Sequence, residues 1–141
     1  MVSMNTIFKR LRGKRILILG FGREGKSSLA FIQKYLPHAT IGVADKNAEA
    51  LKDLTGVAVY SGENYFDAIN DYDIVLKTPG ISLKDKDIDL SKITSQTDLF
   101  LEEFHSQIIG VTGTKGKSTT STLIYHLLKE SGRDKIGRAH V

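Results

Sequence analysis

Two glycine-rich stretches and two polar residues at strand ends carry the chemistry this sequence could do. The first stretch is Gly110-Val111-Thr112-Gly113-Thr114-Lys115-Gly116-Lys117-Ser118-Thr119-Thr120, set between the apolar pair Ile108-Ile109 and a helical pattern that begins at Ser118. Glycines let a backbone turn its N–H groups inward, a new helix offers unpaired N–H groups and a positive dipole end, and a lysine adds a mobile charge. A strand, such a turn and a helix opening on Lys-Ser form a phosphate cradle. Lys117 would lie on the β- and γ-phosphates and the Ser118 hydroxyl on Mg²⁺. The loop is a variant, because Val111 stands where the general pattern has glycine. The alternative is a glycine-punctuated strand-to-helix turn carrying an ordinary surface lysine.

The second stretch, Gly20-Phe21-Gly22-Arg23-Glu24-Gly25, directly follows the apolar run Ile16-Leu17-Ile18-Leu19. A Gly-x-Gly-x-x-Gly turn gains meaning only from a strand before it and an acid after the next strand. Asp45 is that acid, at the end of Ala39-Thr40-Ile41-Gly42-Val43-Ala44, and could accept a ribose hydroxyl. Otherwise the turn is merely tight, and Asp45 caps a helix over Ala48 to Leu54. Thr78 opens a third loop, Thr78-Pro79-Gly80-Ile81-Ser82, after the strand Asp73-Ile74-Val75-Leu76-Lys77. In a parallel sheet, the loops after residues 19, 44 and 77 converge on one edge, beyond the carboxyl ends of the strands.

The elements that must position these loops read as alternating strands and helices. Ile16 to Leu19 form a continuous apolar strand, buried on both faces as in the middle of a parallel sheet. A helix over Lys26 to Leu36 turns Leu29, Ile32, Tyr35 and Leu36 toward that sheet, with Ala30 and Phe31 widening the face, and Pro37 ends it. Thr6 to Leu11 form a short amphipathic helix. Val57 to Tyr60 form a further strand, followed by a small helix near Asn64 to Ile69. Lys84 to Lys92 read as a polar loop with a short helix. Hydroxyls at Thr94, Ser95 and Thr97 cap a short helix over Asp98 to Phe104. After the second glycine loop, Leu123, Ile124, Leu127 and Leu128 make an apolar stripe on a helix reaching about Ser131, with Gly132 as its stop. The fold class is therefore α/β, with a Rossmann-like, mostly parallel sheet over residues 1–95. Residues 96–134 are a linker and the first strand, P-loop and helix of a truncated ATPase domain. One strand and one helix cannot bury a core of their own.

Thr112 to Thr120 resemble the ATP loop of the Mur ligases, which add amino acids to the peptide stem of bacterial cell-wall precursors. Many members carry asparagine where Lys115 stands. Folylpolyglutamate synthetases share the loop but usually follow the lysine with glycine rather than a serine such as Ser118. The resemblance implies that Gly113, Thr114, Lys115, Gly116, Lys117, Ser118 and Thr119 bind ATP, with Lys117 catalytic and Ser118 on Mg²⁺. The D-glutamate-adding branch also carries a Gly-rich turn, an acid after the second strand and a Ser-Pro-Gly-Ile loop, where this chain has Thr78-Pro79-Gly80-Ile81. Gly22, Arg23, Glu24, Asp45, Lys46, Thr78 and Gly80 would then grip the uridine diphosphate of UDP-N-acetylmuramoyl-L-alanine, and D-glutamate would be the second substrate. The run Asp98 to Phe104 is similar to the segment leading into the ATP loop in that branch. ATP would phosphorylate the substrate carboxylate, and the D-glutamate amine would displace the phosphate. Two rivals remain: a nicotinamide-dependent oxidoreductase using Gly20 to Gly25 with Asp45, and a nucleotide-binding module without chemistry.

Composition narrows the classes. The 141 residues are 40% hydrophobic, enough for a sizeable core, and contain no cysteine, so neither disulfides nor cysteine-held metal are expected. No apolar run could span a membrane and no signal peptide is read, which leaves the cytoplasm as the expected location. The formal charge of +4 comes from lysines and arginines spread along the chain, so nucleic-acid binding is not expected. The histidines 38, 105, 126 and 140 have no ligand-spaced partners. Residues 135–141, Lys-Ile-Gly-Arg-Ala-His-Val, are what AGATCGGAAGAGCACACGTC, a sequencing-library adapter, encodes when one A precedes it. We expect native sequence to stop near Asp134. Without this tail the formal charge is +2.

Overall fold

The computed structural model describes residues 5–132, so the suspected adapter tail lies outside the described residues. The chain divides into two compact units at Ser106/Gln107. The first is a five-stranded sheet in the order β3-β2-β1-β4-β5, parallel throughout, as the Rossmann-like reading requires. Its strands are β1 (Arg15–Leu19), β2 (Thr40–Asp45), β3 (Ala58–Ser61), β4 (Ile74–Lys77) and β5 (Ile93–Thr94).

The apolar run of β1 explains its central place. Side chains alternate across a strand, so Ile16 and Ile18 enter one core layer while Leu17 and Leu19 enter the other. All four are fully buried. The first layer is completed by α1 (Asn5–Leu11) through Leu11, by α2 (Arg23–Tyr35) through Leu29 and Ile32, and by α3 (Gln96–Phe104) through Leu99. The second is filled by Tyr65, Ala68, Ile69 and Tyr72, from a 3₁₀ segment at Tyr65–Asp71 and the residue after it. Each such aliphatic side chain taken from water contributes roughly 1.5–3 kcal/mol.

Several local expectations are corrected. The helix after the first glycine turn begins at Arg23, not Lys26, because Gly20 (φ +96°) makes the turn alone and Gly22 is already the extended residue before the helix. Ala30 is exposed rather than on the apolar face, whereas Phe31 is half-buried, its ring 4.9 Å from that of Tyr35. The helix expected over Ala48 to Leu54 is a 3₁₀ turn at Ala48–Leu51, capped by Asn47 rather than Asp45. The short strand β5 was not foreseen. It pairs with β4 and leads into α3, where the Ser95 hydroxyl accepts the Asp98 N–H (3.0 Å). Glu103 accepts the Ile7 N–H (2.9 Å) and Glu102 pairs with Arg10, fixing α3 to α1.

In the second unit, α4 (Lys117–Glu130) forms as the pattern implied, with Ser131 as its end and Gly132 left-handed at φ +88°. The strand expected at Ile108-Ile109 does not form. A strand needs a neighbour for its N–H and C=O groups, and none of the described strands belongs to this unit. None of the residues of α4 is buried, and Leu123 and Leu127 are 59% and 71% exposed.

Candidate functional site

The connection reverses direction at β1, which has β2 on one side and β4 on the other. In such sheets the usual ligand position is the crevice beyond the carboxyl ends of the strands at this switch point. The three loops expected to converge there are tied together by hydrogen bonds. The Gly20 N–H donates to the Ala44 carbonyl (2.8 Å), and the Phe21 N–H donates to Asp45 Oδ2 (2.7 Å). Asp45 Oδ1 accepts the Asn47 N–H (2.8 Å), so this carboxylate joins the glycine turn to the loop after β2.

From the other side, the Thr78 N–H and hydroxyl both donate to the Leu19 carbonyl, at 3.0 and 3.2 Å. This close approach requires glycine at position 20, where a Cβ would lie 2.1 Å from Thr78 Oγ1. Gly25 is equally constrained, since its Cβ would sit 2.1 Å from the Gly20 carbonyl oxygen. Gly22 and Gly80 are different. Both are exposed, and a Cβ on either would meet nothing within 4 Å.

No side chain caps the amino end of α2 at Gly22. The first N–H groups of a helix have no partner within it, and they lie at the positive end of its dipole, so this end suits an anion. Gly22, Arg23, Glu24, Asp45, Lys46, Thr78 and Gly80 all lie on this edge of the sheet. Arg23, Lys46 and Gly80 are exposed, while Glu24, Asp45 and Thr78 are half-buried. Asp45 and Thr78 use hydrogen-bonding capacity to shape the crevice, a role the motif alone did not suggest.

Two further side chains belong to this edge and were missed in the sequence. Tyr65 is buried, and both its burial and the negative charge of Asp45 push its hydroxyl above the usual tyrosine range. It therefore remains a neutral phenol near the crevice. Lys77 donates from Nζ to the carbonyls of Thr78 (3.0 Å) and Ile81 (2.8 Å), clamping the loop between them. A lysine at a strand end reads as solvated, and only the folded loop reveals the clamp.

In the second unit, Gly113 (φ +148°) and Gly116 (φ +79°) adopt backbone conformations that favour glycine, and Gly116 leads directly into α4. That helix also has no side-chain cap. Thr114, Lys115, Lys117, Ser118 and Thr119 are exposed around the turn, and neither Lys115 nor Lys117 has an ion-pair partner among the described residues. Among the described residues the Ser118 hydroxyl has no hydrogen-bond partner, while the Ser118 carbonyl accepts from Thr122 Oγ1 (2.8 Å). An uncapped helix end, two cations and a free hydroxyl suit a phosphate chain with its counter-ion. Among the described residues, no group of three His, Asp or Glu could hold a metal alone, and no helix is long and apolar enough to cross a membrane.

No model of a known protein family matches the chain. It is similar to curated proteins named "UDP-N-acetylmuramoylalanine--D-glutamate ligase". That of Acetivibrio thermocellus is 33% identical over 92% of this chain and 30% of the relative. That of Ligilactobacillus salivarius is 32% identical over 96% of this chain and 31% of the relative. The Clostridium acetobutylicum protein is 33% identical over 92% of this chain and 30% of its own length. The resemblance carried by the loop motifs is thus borne out across most of the chain, which spans about 30% of the length of these relatives.

Proposed function

We propose that this chain is a fragment of a Mur ligase of the D-glutamate-adding branch, which joins D-glutamate to UDP-N-acetylmuramoyl-L-alanine using ATP in the bacterial cytoplasm. The observation that carries this reading is the convergence of three loops on the switch-point edge, where the uncapped end of α2 and the open positions Gly22 and Gly80 leave room for an anionic nucleotide. The similarity to named ligases supports the choice of that nucleotide as a UDP-sugar.

In this reading the first unit holds the uridine diphosphate. The α2 amides and Arg23 face its phosphates, Asp45 and Lys46 lie beside the nucleoside, and Thr78 with Gly80 closes the crevice. The second unit opens the ATP site of a longer protein. Its glycine turn and the α4 amides cradle the phosphates, and Lys117 stabilises the charge that develops as the γ-phosphoryl group leaves ADP. The Ser118 hydroxyl would hold Mg²⁺ in part, and the ion would supply positive charge against the phosphates. A substrate carboxylate oxygen attacks the γ-phosphorus, giving an acyl phosphate and ADP. The D-glutamate amine then attacks the acyl carbon, forming the amide and releasing phosphate.

The test uses the full-length protein. Phosphate release is expected only when ATP, the UDP-sugar and D-glutamate are all present, and omission of any one should abolish it. Phosphate release independent of D-glutamate would reject the ligase reading, and binding of NAD but not ATP would favour the oxidoreductase.

A further inference from the structure

Lys77 is the last residue of β4, and its side chain is half-buried on the face shared with Leu17, Leu19 and Val75. Its ammonium donates to the Thr78 carbonyl at 3.0 Å and to the Ile81 carbonyl at 2.8 Å, one on each side of Pro79-Gly80. No carboxylate pairs with it among the described residues. Withdrawing a cation from water without a counter-ion is unfavourable, so the two carbonyl dipoles are what compensate it. Thr78 is anchored to the Leu19 carbonyl and Ile81 packs on the core, but the Pro79-Gly80 tip between them has little else to hold it. Pro79 has no N–H, the Ile81 N–H reaches the Thr78 carbonyl only at 3.4 Å, and Gly80 sits in open space.

We propose that Lys77 is a positioning residue for the anionic nucleotide substrate. By holding the carbonyls of Thr78 and Ile81, it fixes the turn that presents Gly80 to the crevice. The inference rests on the proposed UDP-sugar site but concerns a residue outside it. Lys77 acts through the loop, from beneath, and does not touch the ligand. Its charge, half-buried against the carbonyls, gives the loop one conformation before substrate arrives, which lowers the ordering cost of binding.

Calorimetric titration of the chain with UDP-N-acetylmuramoyl-L-alanine, combined with amide exchange of residues 78–83, tests this. Lys77→Met should weaken binding about tenfold or more and speed exchange in the loop, while β1 and β2 keep their protection. Lys77→Arg, which can still donate to both carbonyls, should bind within about threefold of the original. Equal affinity of the Met variant, or an unchanged loop, overturns the assignment. Should Lys77→Met fail to fold, Lys77→Gln decides by the same criteria. If both fail to fold, Lys77 is a stability residue and the inference falls. Absence of binding by the unmodified chain would count against the substrate reading. In that case loop exchange in the Met variant, measured without ligand, still decides whether Lys77 holds the turn.

Discussion

The carboxylate of Asp45 accepts the Phe21 N–H at 2.7 Å, so the end of β2 holds the glycine turn that follows β1. Its second oxygen accepts the Asn47 N–H at 2.8 Å. One side chain therefore sets the relative placement of two of the three loops at the crevice. Asp45→Ala should leave the Phe21 N–H without its partner and cost about 1–3 kcal/mol, whereas Asp45→Asn, which keeps one acceptor oxygen, should cost about half as much. Urea denaturation of the two variants measures the difference. Equal stability of the alanine variant and the original would show that the turn does not depend on this bond.

The glycines of the first turn are predicted to behave unequally. An alanine at position 25 would drive its Cβ into the Gly20 carbonyl oxygen, and one at position 20 would meet Thr78 at a φ of +96°. Each should cost about 1–3 kcal/mol or more. Gly22→Ala meets nothing within 4 Å at an ordinary φ of −80°, so it should cost less than about 1 kcal/mol. Thermal unfolding of the three variants checks the order. A Gly22→Ala variant as unstable as Gly25→Ala would contradict this packing.

What could be read beforehand follows physical locality. Four apolar residues in a row at β1 announced a strand buried on both faces, and the burial of Ile16 to Leu19 agrees. The two-residue strand β5 gave no such signal, because its pairing with β4 is set by the sheet rather than by its own composition. Ile108-Ile109 looked like a strand for the opposite reason: the apolar pair is real, but no described strand lies in its unit to pair with it. The site loops were legible as glycine spacing and a following acid. The bonds that join them were not, since Asp45 to Phe21 and Thr78 to Leu19 connect positions far apart in the chain.

The pairing of Arg15 with Asp73 makes stability depend on acid. Arg15 donates through its backbone N–H (2.7 Å) and guanidinium (3.1 Å), and these bonds hold the Asp73 carboxyl down at about 2, below its ordinary 3.8. A carboxyl whose folded value is depressed contributes stability that is fully present above its unfolded value and is lost as pH falls through the folded one. The contribution should therefore be complete above about pH 4 and disappear towards pH 2. Denaturation midpoints of the Asp73→Asn variant should fall less steeply over that window than those of the original. Parallel profiles would show that the exposed pair is too well screened to matter.

The two glycine loops belong to separate compact units, which allows their roles to be separated by mutation. Lys117 opens α4 directly after the left-handed Gly116 and has no ion-pair partner among the described residues, so its removal should not disturb packing. In the full-length protein, Lys117→Ala should lower turnover at least about a hundredfold through lost charge stabilisation at the transferred phosphoryl group. Binding of the UDP-sugar should stay within about twofold, because that ligand is assigned to loops of the other unit. Phosphate release and calorimetry on the same preparation test both halves. Loss of turnover with retained sugar binding supports the division of labour, whereas loss of both with an intact fold would place Lys117 in the sugar site and overturn it.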